Sequence, residues 1–217
     1  MKNAVVIGGT SGIGFELAKI LCKNECAVCV TGRHDPKTKD LEFIPTDFIS
    51  GNTHLDLNEF PMLREKLCKA DILCVSYGPF VQKPLHLTTA QDWQTLALYD
   101  YALAGIAVSS VLPGMMERKF GRIVLFGGTR TESVRSYKTN AAYAGAKTAI
   151  SVLVKSVSAE YRKYGVTCNA VLPGFVNGAK EEGDAISALS VAQSAFFLIQ
   201  NENLNGVLLN VDRGWQP

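Results

Sequence analysis

Ile7-Gly8-Gly9-Thr10-Ser11-Gly12-Ile13-Gly14 lies between the apolar run that begins at Asn3 and the segment Phe15-Glu-Leu-Ala-Lys-Ile-Leu-Cys22, whose apolar residues recur at helical spacing. A short buried strand therefore passes through a glycine-rich turn into a helix. Gly8 permits the tight turn, Gly12 lets the backbone approach a pyrophosphate, and Gly14 allows the helix to pack closely on the strand. The start of that helix turns unpaired N–H groups and a positive dipole end towards the turn, which favours an anion without any basic side chain. These residues predict the opening unit of a dinucleotide-binding α/β domain.

A second motif lies far along the chain, in Asn140-Ala-Ala-Tyr143-Ala-Gly-Ala-Lys147. Residues at i and i+4 share a helix face, so the Tyr143 phenol and the Lys147 ammonium can reach one cavity. A free tyrosine titrates near ~10 and a neighbouring cation lowers that value, which suits the phenol to proton transfer near neutral pH. Alone, a Tyr-x-x-x-Lys pair is a common feature of helix surfaces. Beside a phosphate-cradling turn, it points to a nicotinamide-dependent oxidoreductase.

The spacing Gly8-x-x-x-Gly12-x-Gly14 differs from the general Gly-x-Gly-x-x-Gly fingerprint. Together with Tyr143, Lys147 and features spread over nearly the whole chain, it resembles the short-chain dehydrogenase/reductase family, and in particular NADP-preferring members such as 3-oxoacyl-ACP-reductase-like proteins. The resemblance implies a Rossmann-like, doubly wound parallel sheet of about seven strands with helices on both faces. It also implies a dinucleotide held by Gly8, Thr10, Ser11, Gly12, Ile13 and Gly14. The second strand, Ala27 to Arg33, ends where the adenosine ribose binds. An acid there suits NAD and an arginine suits NADP, and this chain has Arg33 and His34 with no carboxylate before Asp35. Arg33 can form paired, charge-assisted hydrogen bonds to a phosphate, so NADPH is the expected cofactor and NAD the less favoured one. In His54-Leu55-Asp56-Leu57, the resemblance sets Asp56 and Leu57 beside the adenine. Capping of a helix that starts near Asn58 is an equally good use of Asp56.

Several positions depart from the family pattern. Val75-Ser76-Tyr77-Gly78 stands where the family usually has Asn-Asn-Ala-Gly, so Ser76 and Gly78 are the expected cofactor neighbours and Tyr77 must pack elsewhere. Asp100, in a helix expected from Ala97 to Glu117 and broken near Pro113, takes the place of an asparagine that anchors a proton relay. Gly128 aligns with the serine that binds the substrate carbonyl. Thr129 follows it, and a threonine hydroxyl has the same donor and acceptor capacity, so Thr129 is the expected replacement, with Ser133 and Ser136 as alternatives. Pro173, Gly174 and Val176 are expected behind the nicotinamide, where Gly178 stands in place of a usual threonine. A short connection follows, with a helix expected from about Asp184 to Gln200. Tyr77, Phe80, Trp93, Phe175 and Trp215 are candidate apolar walls for the substrate.

Composition fits this reading. With 217 residues, 47% of them hydrophobic, residues 1–217 suit one domain with a sizeable core. Strand and helix patterns alternate throughout, as a parallel sheet between helical layers requires. A formal charge of +2 gives no footprint for nucleic acid, and no apolar run reads as a membrane span. The six cysteines fall mainly within predicted elements and suit reduced thiols in a cytoplasmic protein, with no metal site. The expected mechanism has Tyr143 donating a proton to a small carbonyl substrate or taking one from an alcohol. In it Lys147 lowers the phenol's pKa, Thr129 orients the substrate oxygen and Asp100 anchors the relay. A homodimer or homotetramer is implied by the resemblance. The alternative function is an NADP-binding regulator or structural subunit with little catalysis.

Overall fold

The computed structural model describes residues 1–48, 55–176 and 185–214. Seven strands form one sheet: β1 (Lys2–Ile7), β2 (Cys26–Gly32), β3 (Leu41–Pro45), β4 (Ile72–Val75), β5 (Gly121–Phe126), β6 (Val166–Pro173) and β7 (Leu208–Val211). Their order is β3-β2-β1-β4-β5-β6-β7, and every pairing is parallel. The central strands are buried on both faces, which is why they read as continuous apolar runs and not as alternating ones.

Helices cover both faces. On one, α1 (Gly12–Lys23) and α6 (Ala188–Gln200) bury Leu17, Leu21 and Val191 against Val6, Val30 and Val171. On the other, α2 (Pro61–Lys69), α4 (Leu103–Arg118) and α5 (Ala141–Tyr161) bury Leu63, Leu67, Leu103, Val111, Ile150 and Val154. The chain winds outward from β1 to β3, then returns to β4 and winds the other way. This reversal opens a crevice at the carboxyl ends of β1 and β4, the usual ligand position in such sheets. Gly8 and Ser76 lie at its lip.

The helix carrying Asp100 differs from its sequence reading. It begins earlier, as α3 (Ala90–Ala97), capped by Thr89 and Asp92 in a reciprocal box. It continues into α4 through a π-helical turn, Leu98–Ala102, and α4 runs on through Pro113 without a break. The irregularity thus sits at Asp100, where Tyr99 and Asp100 are both buried. Such π turns are frequent at functional sites. The whole run, Ala90–Arg118, is also long and apolar enough by composition to cross a membrane, contrary to the expectation of no such run. In this fold it is a core helix, with its own Leu103, Ala107, Val111 and Met115 buried in the core. The last helix starts at Ala188, where Ser187 accepts from the Ser190 N–H at 3.0 Å. The expected start at Asp184 lies outside the described residues.

Candidate active site

The glycine turn is built by close approaches. Gly8 has φ +80°, and a Cβ there would stand 2.8 Å from the Tyr77 nitrogen. A Cβ on Gly14 would collide with the Gly8 carbonyl oxygen and the Ser76 hydroxyl, so Gly14 is the tight helix-on-strand contact. Gly12 has φ +53° and open space where a Cβ would be, leaving the backbone accessible. Two hydroxyls hold the turn. Ser76 donates to the Gly8 carbonyl at 3.1 Å and the Ile7 carbonyl at 3.3 Å, joining β4 to β1 as the missing asparagines would have done. Thr31, unnoticed in the sequence, accepts from the Gly8 N–H at 3.4 Å, while its carbonyl accepts from the Gly9 N–H at 3.0 Å. Its only signal is a polar residue at the end of an apolar strand.

These residues fit a dinucleotide. Ser11 caps α1 without a side-chain hydrogen bond, and the first turn of α1 carries no acid, so its N–H groups are available to an anion. Ile13 packs on the core beside them, and Thr10 lies over Gly32 at the end of β2. Arg33 and His34 are exposed just beyond, and Arg33 has no ion pair among the described residues. Asp56 accepts from the Asn58 N–H at 2.8 Å and caps a short 3-10 turn, so its capping use is present, and Leu57 is buried in the core. His54 lies outside the described residues. Gly14→Ala is expected to cost about 1–3 kcal/mol by overpacking and to weaken dinucleotide binding by prising Ser76 from the turn. Thermal melts with and without NADPH check both effects.

Tyr143 and Lys147 come from the first turns of α5, as their spacing predicts, and face the strand ends. Lys147 is 7% exposed. Its Nζ donates to the Phe126 carbonyl at 3.2 Å and pairs with Asp100 Oδ1 at 2.9 Å. Asp100 is 1% exposed, and neither carboxylate oxygen has a well-aligned hydrogen bond among the described residues. Gly78 makes room for this pair: its Cβ would collide with Asp100 Oδ1 and stand 3.2 Å from Lys147 Nζ. The ammonium lies 5.7 Å from the centre of the Tyr143 ring, which also meets the Phe80 ring edge-on with centroids 4.9 Å apart. Burial pushes the Tyr143 phenol up; Lys147 opposes this and Asp100 reinforces it. Burial likewise raises the Asp100 carboxyl, against the pull of Lys147.

Gly128 lies beside Tyr143. A Cβ at Gly128 would lie 3.5 Å from Tyr143 Cε1 and 3.6 Å from Lys147 Cβ. Thr129 instead donates its hydroxyl to Asp212 Oδ2 at 2.8 Å, and Arg130 pairs with the same oxygen at 3.0 Å. Thr131, which sequence reasoning missed, pins the turn by donating to the Gly128 carbonyl at 2.7 Å and accepting from the Gly128 N–H at 3.2 Å. Ser133 and Ser136 are exposed. Gly174, following Pro173, donates to the Val211 carbonyl at 2.9 Å, and a Cβ there would stand 2.9 Å from Asp212 Cβ. Val176 bridges to Ile186, and Phe175 is exposed. Of the apolar wall residues, Phe80 borders Tyr143, Trp93 is exposed on α3, and Tyr77 packs edge-on to Phe48 and Tyr99. Gly178 and Trp215 lie outside the described residues.

The chain is similar to known proteins over most of its length. The short chain dehydrogenase family model matches residues 2–185. Carbonyl reductase family member 4 of Xenopus laevis is 27% identical, across 99% of this chain and 98% of its own. D-beta-hydroxybutyrate dehydrogenase of Rhizobium meliloti is 27% identical, across 81% of this chain and 71% of its own. The solved structure of ElxO with NADP bound superposes with a TM-score of 0.83 at 22% identity, covering 99% of this chain and 98% of that one, and shows the same fold. With the glycine turn, the parallel sheet and the Tyr143–Lys147 face all in place, the chain belongs to the short-chain dehydrogenase family, as an oxidoreductase acting on CH–OH or C=O groups.

Proposed function

We propose that the protein uses NADP(H) and reduces the carbonyl group of a small molecule, with Tyr143 as the proton donor. The observation that carries this reading is the Lys147 ammonium, held by Asp100 and the Phe126 carbonyl beside the Tyr143 ring at the strand ends. When bound, the nicotinamide supplies hydride to the carbonyl carbon. Tyr143 hydrogen-bonds the carbonyl oxygen and gives it a proton as negative charge develops there. Lys147 orients the phenol's surroundings and is placed to bind ribose hydroxyls, while Asp100 holds Lys147. Phe80 packs edge-on against Tyr143 beside the reacting atoms. Thr129, whose hydroxyl is engaged by Asp212, acts on the loop and leaves Tyr143 as the donor to the substrate oxygen.

Exposed Arg33 beyond β2 supports NADP over NAD. Arg33→Ala is expected to weaken NADPH binding by about tenfold to a hundredfold and leave NADH binding nearly unchanged, as calorimetry would show. The cytoplasm suits reduced thiols and this cofactor. Assembly as a homodimer or homotetramer fits the outer side of the π turn and α4, where an open hollow of about 470 Å³ is lined by Tyr101, Gly105, Ile106 and Ser109.

The functional test is carbonyl-dependent oxidation of NADPH over a panel of aldehydes and ketones, after calorimetry has established binding. Turnover with NADPH is the expected result. Tight binding with no turnover would favour the second reading, an NADP-binding regulator, which draws support from the missing hydroxyl at Gly128 and the charge pairing of Lys147.

A further inference from the structure

We propose that Asp100 is a positioning residue whose carboxylate pairs with Lys147, withdraws that ammonium's charge from Tyr143, and so holds the phenol protonated to higher pH, the form that carbonyl reduction consumes. The inference rests on the function proposed above and adds what governs the proton on Tyr143.

The pair is close and shielded. Its two charged atoms are 2.9 Å apart, both residues are buried, and Gly78 offers only bare backbone on the near side. A cation paired at this distance acts on a third group more nearly as a dipole than as a charge, and its influence falls accordingly. Among the described residues, the groups facing Tyr143 are Lys147 from α5, Asp100 from the π turn and the Phe80 ring from the segment after β4. Asp100 faces Lys147, Tyr143 and Tyr77, and β5 contributes the Phe126 carbonyl. No second cation among these replaces the charge that Asp100 offsets.

The consequence for catalysis follows from proton balance. Reduction consumes the phenol proton as the new O–H bond forms, so it needs Tyr143 protonated. Alcohol oxidation returns that proton to the phenol oxygen, so it needs tyrosinate. A lysine left unpaired would favour tyrosinate, whereas a lysine paired to a buried carboxylate leaves the phenol in the form that reduction requires.

The test is an ultraviolet tyrosinate titration, isolated for Tyr143 by subtracting the matching Tyr143→Phe protein. In Asp100→Asn, the midpoint is expected to fall by about one pH unit. The pH profiles of both reaction directions should move down with it, by the same shift. An unchanged or higher midpoint would overturn the role of Asp100. Because Asp100→Asn leaves Lys147 buried and unpaired, Asp100→Asn combined with Lys147→Met removes both charges. That protein should titrate within about half a unit of wild type, and a rise of more than about one unit would show that the lysine charge had been acting on Tyr143 all along. The titration needs no substrate, so its failure overturns the role of Asp100, whereas NADPH binding without turnover overturns the proposed function.

Discussion

Tyr143→Phe should lower kcat for carbonyl reduction by about 10²–10⁴-fold, the range associated with losing a positioned acid, while leaving NADPH affinity within about twofold of wild type. The substitution keeps the ring and its edge-on contact with Phe80, so packing and the position of Lys147 are preserved. Only the transferable proton is lost. Steady-state kinetics beside calorimetry separates the two effects. A variant with full kcat would show that another group supplies the proton, and one that lost cofactor binding would show that the phenol is a binding contact.

Gly128→Ser should have the opposite effect, raising kcat by about tenfold to a hundredfold. Removing a single preorganised donor to a developing oxyanion costs about 10²–10³ in kcat elsewhere, and a donor introduced without its own supporting contacts should recover part of that. The site has room for it. A Cβ at residue 128 would meet Thr131 Cγ2 at 3.4 Å and Tyr143 Cε1 at 3.5 Å, ordinary van der Waals contacts, and Gly128 does not have a positive φ. The added hydroxyl would face the reacting oxygen from beside the phenol. A gain in kcat identifies the missing donor as the chief weakness of the native site. An unchanged kcat with a raised KM would show that substrate occupies the space beside Gly128.

What could be read in advance was whatever depended on local chemistry. The strand, the glycine turn and the helix that follows were legible because positive φ and close approach leave few residues other than glycine, and Tyr143 with Lys147 because i, i+4 spacing fixes a shared face. The alternation of strands and helices likewise implied the parallel sheet. Other features depend on long-range contacts. Pro113 suggested a break, yet α4 continues through it, and the irregular turn lies at Asp100, where no breaker residue marks it. Thr129 and Gly128 differ by one position, and the fold separates their surroundings: the Thr131 hydroxyl makes two hydrogen bonds to Gly128, while the Thr129 hydroxyl turns to the distant Asp212. Ser76 read as a lost asparagine, but its hydroxyl joins β4 to the glycine turn. Asp100 was visible as a substitution. Its pairing with Lys147 required the fold to bring the π turn and α5 together.

Hydride transfer itself is tested most directly with NADPH carrying deuterium at the hydride position of the nicotinamide, incubated with the protein and a panel of aldehydes and ketones. Mass spectrometry of the products should show one deuterium on the new carbinol carbon, with none in reactions using Tyr143→Phe over the same interval. Tight NADPH binding with no deuterium transferred to any carbonyl would contradict the account.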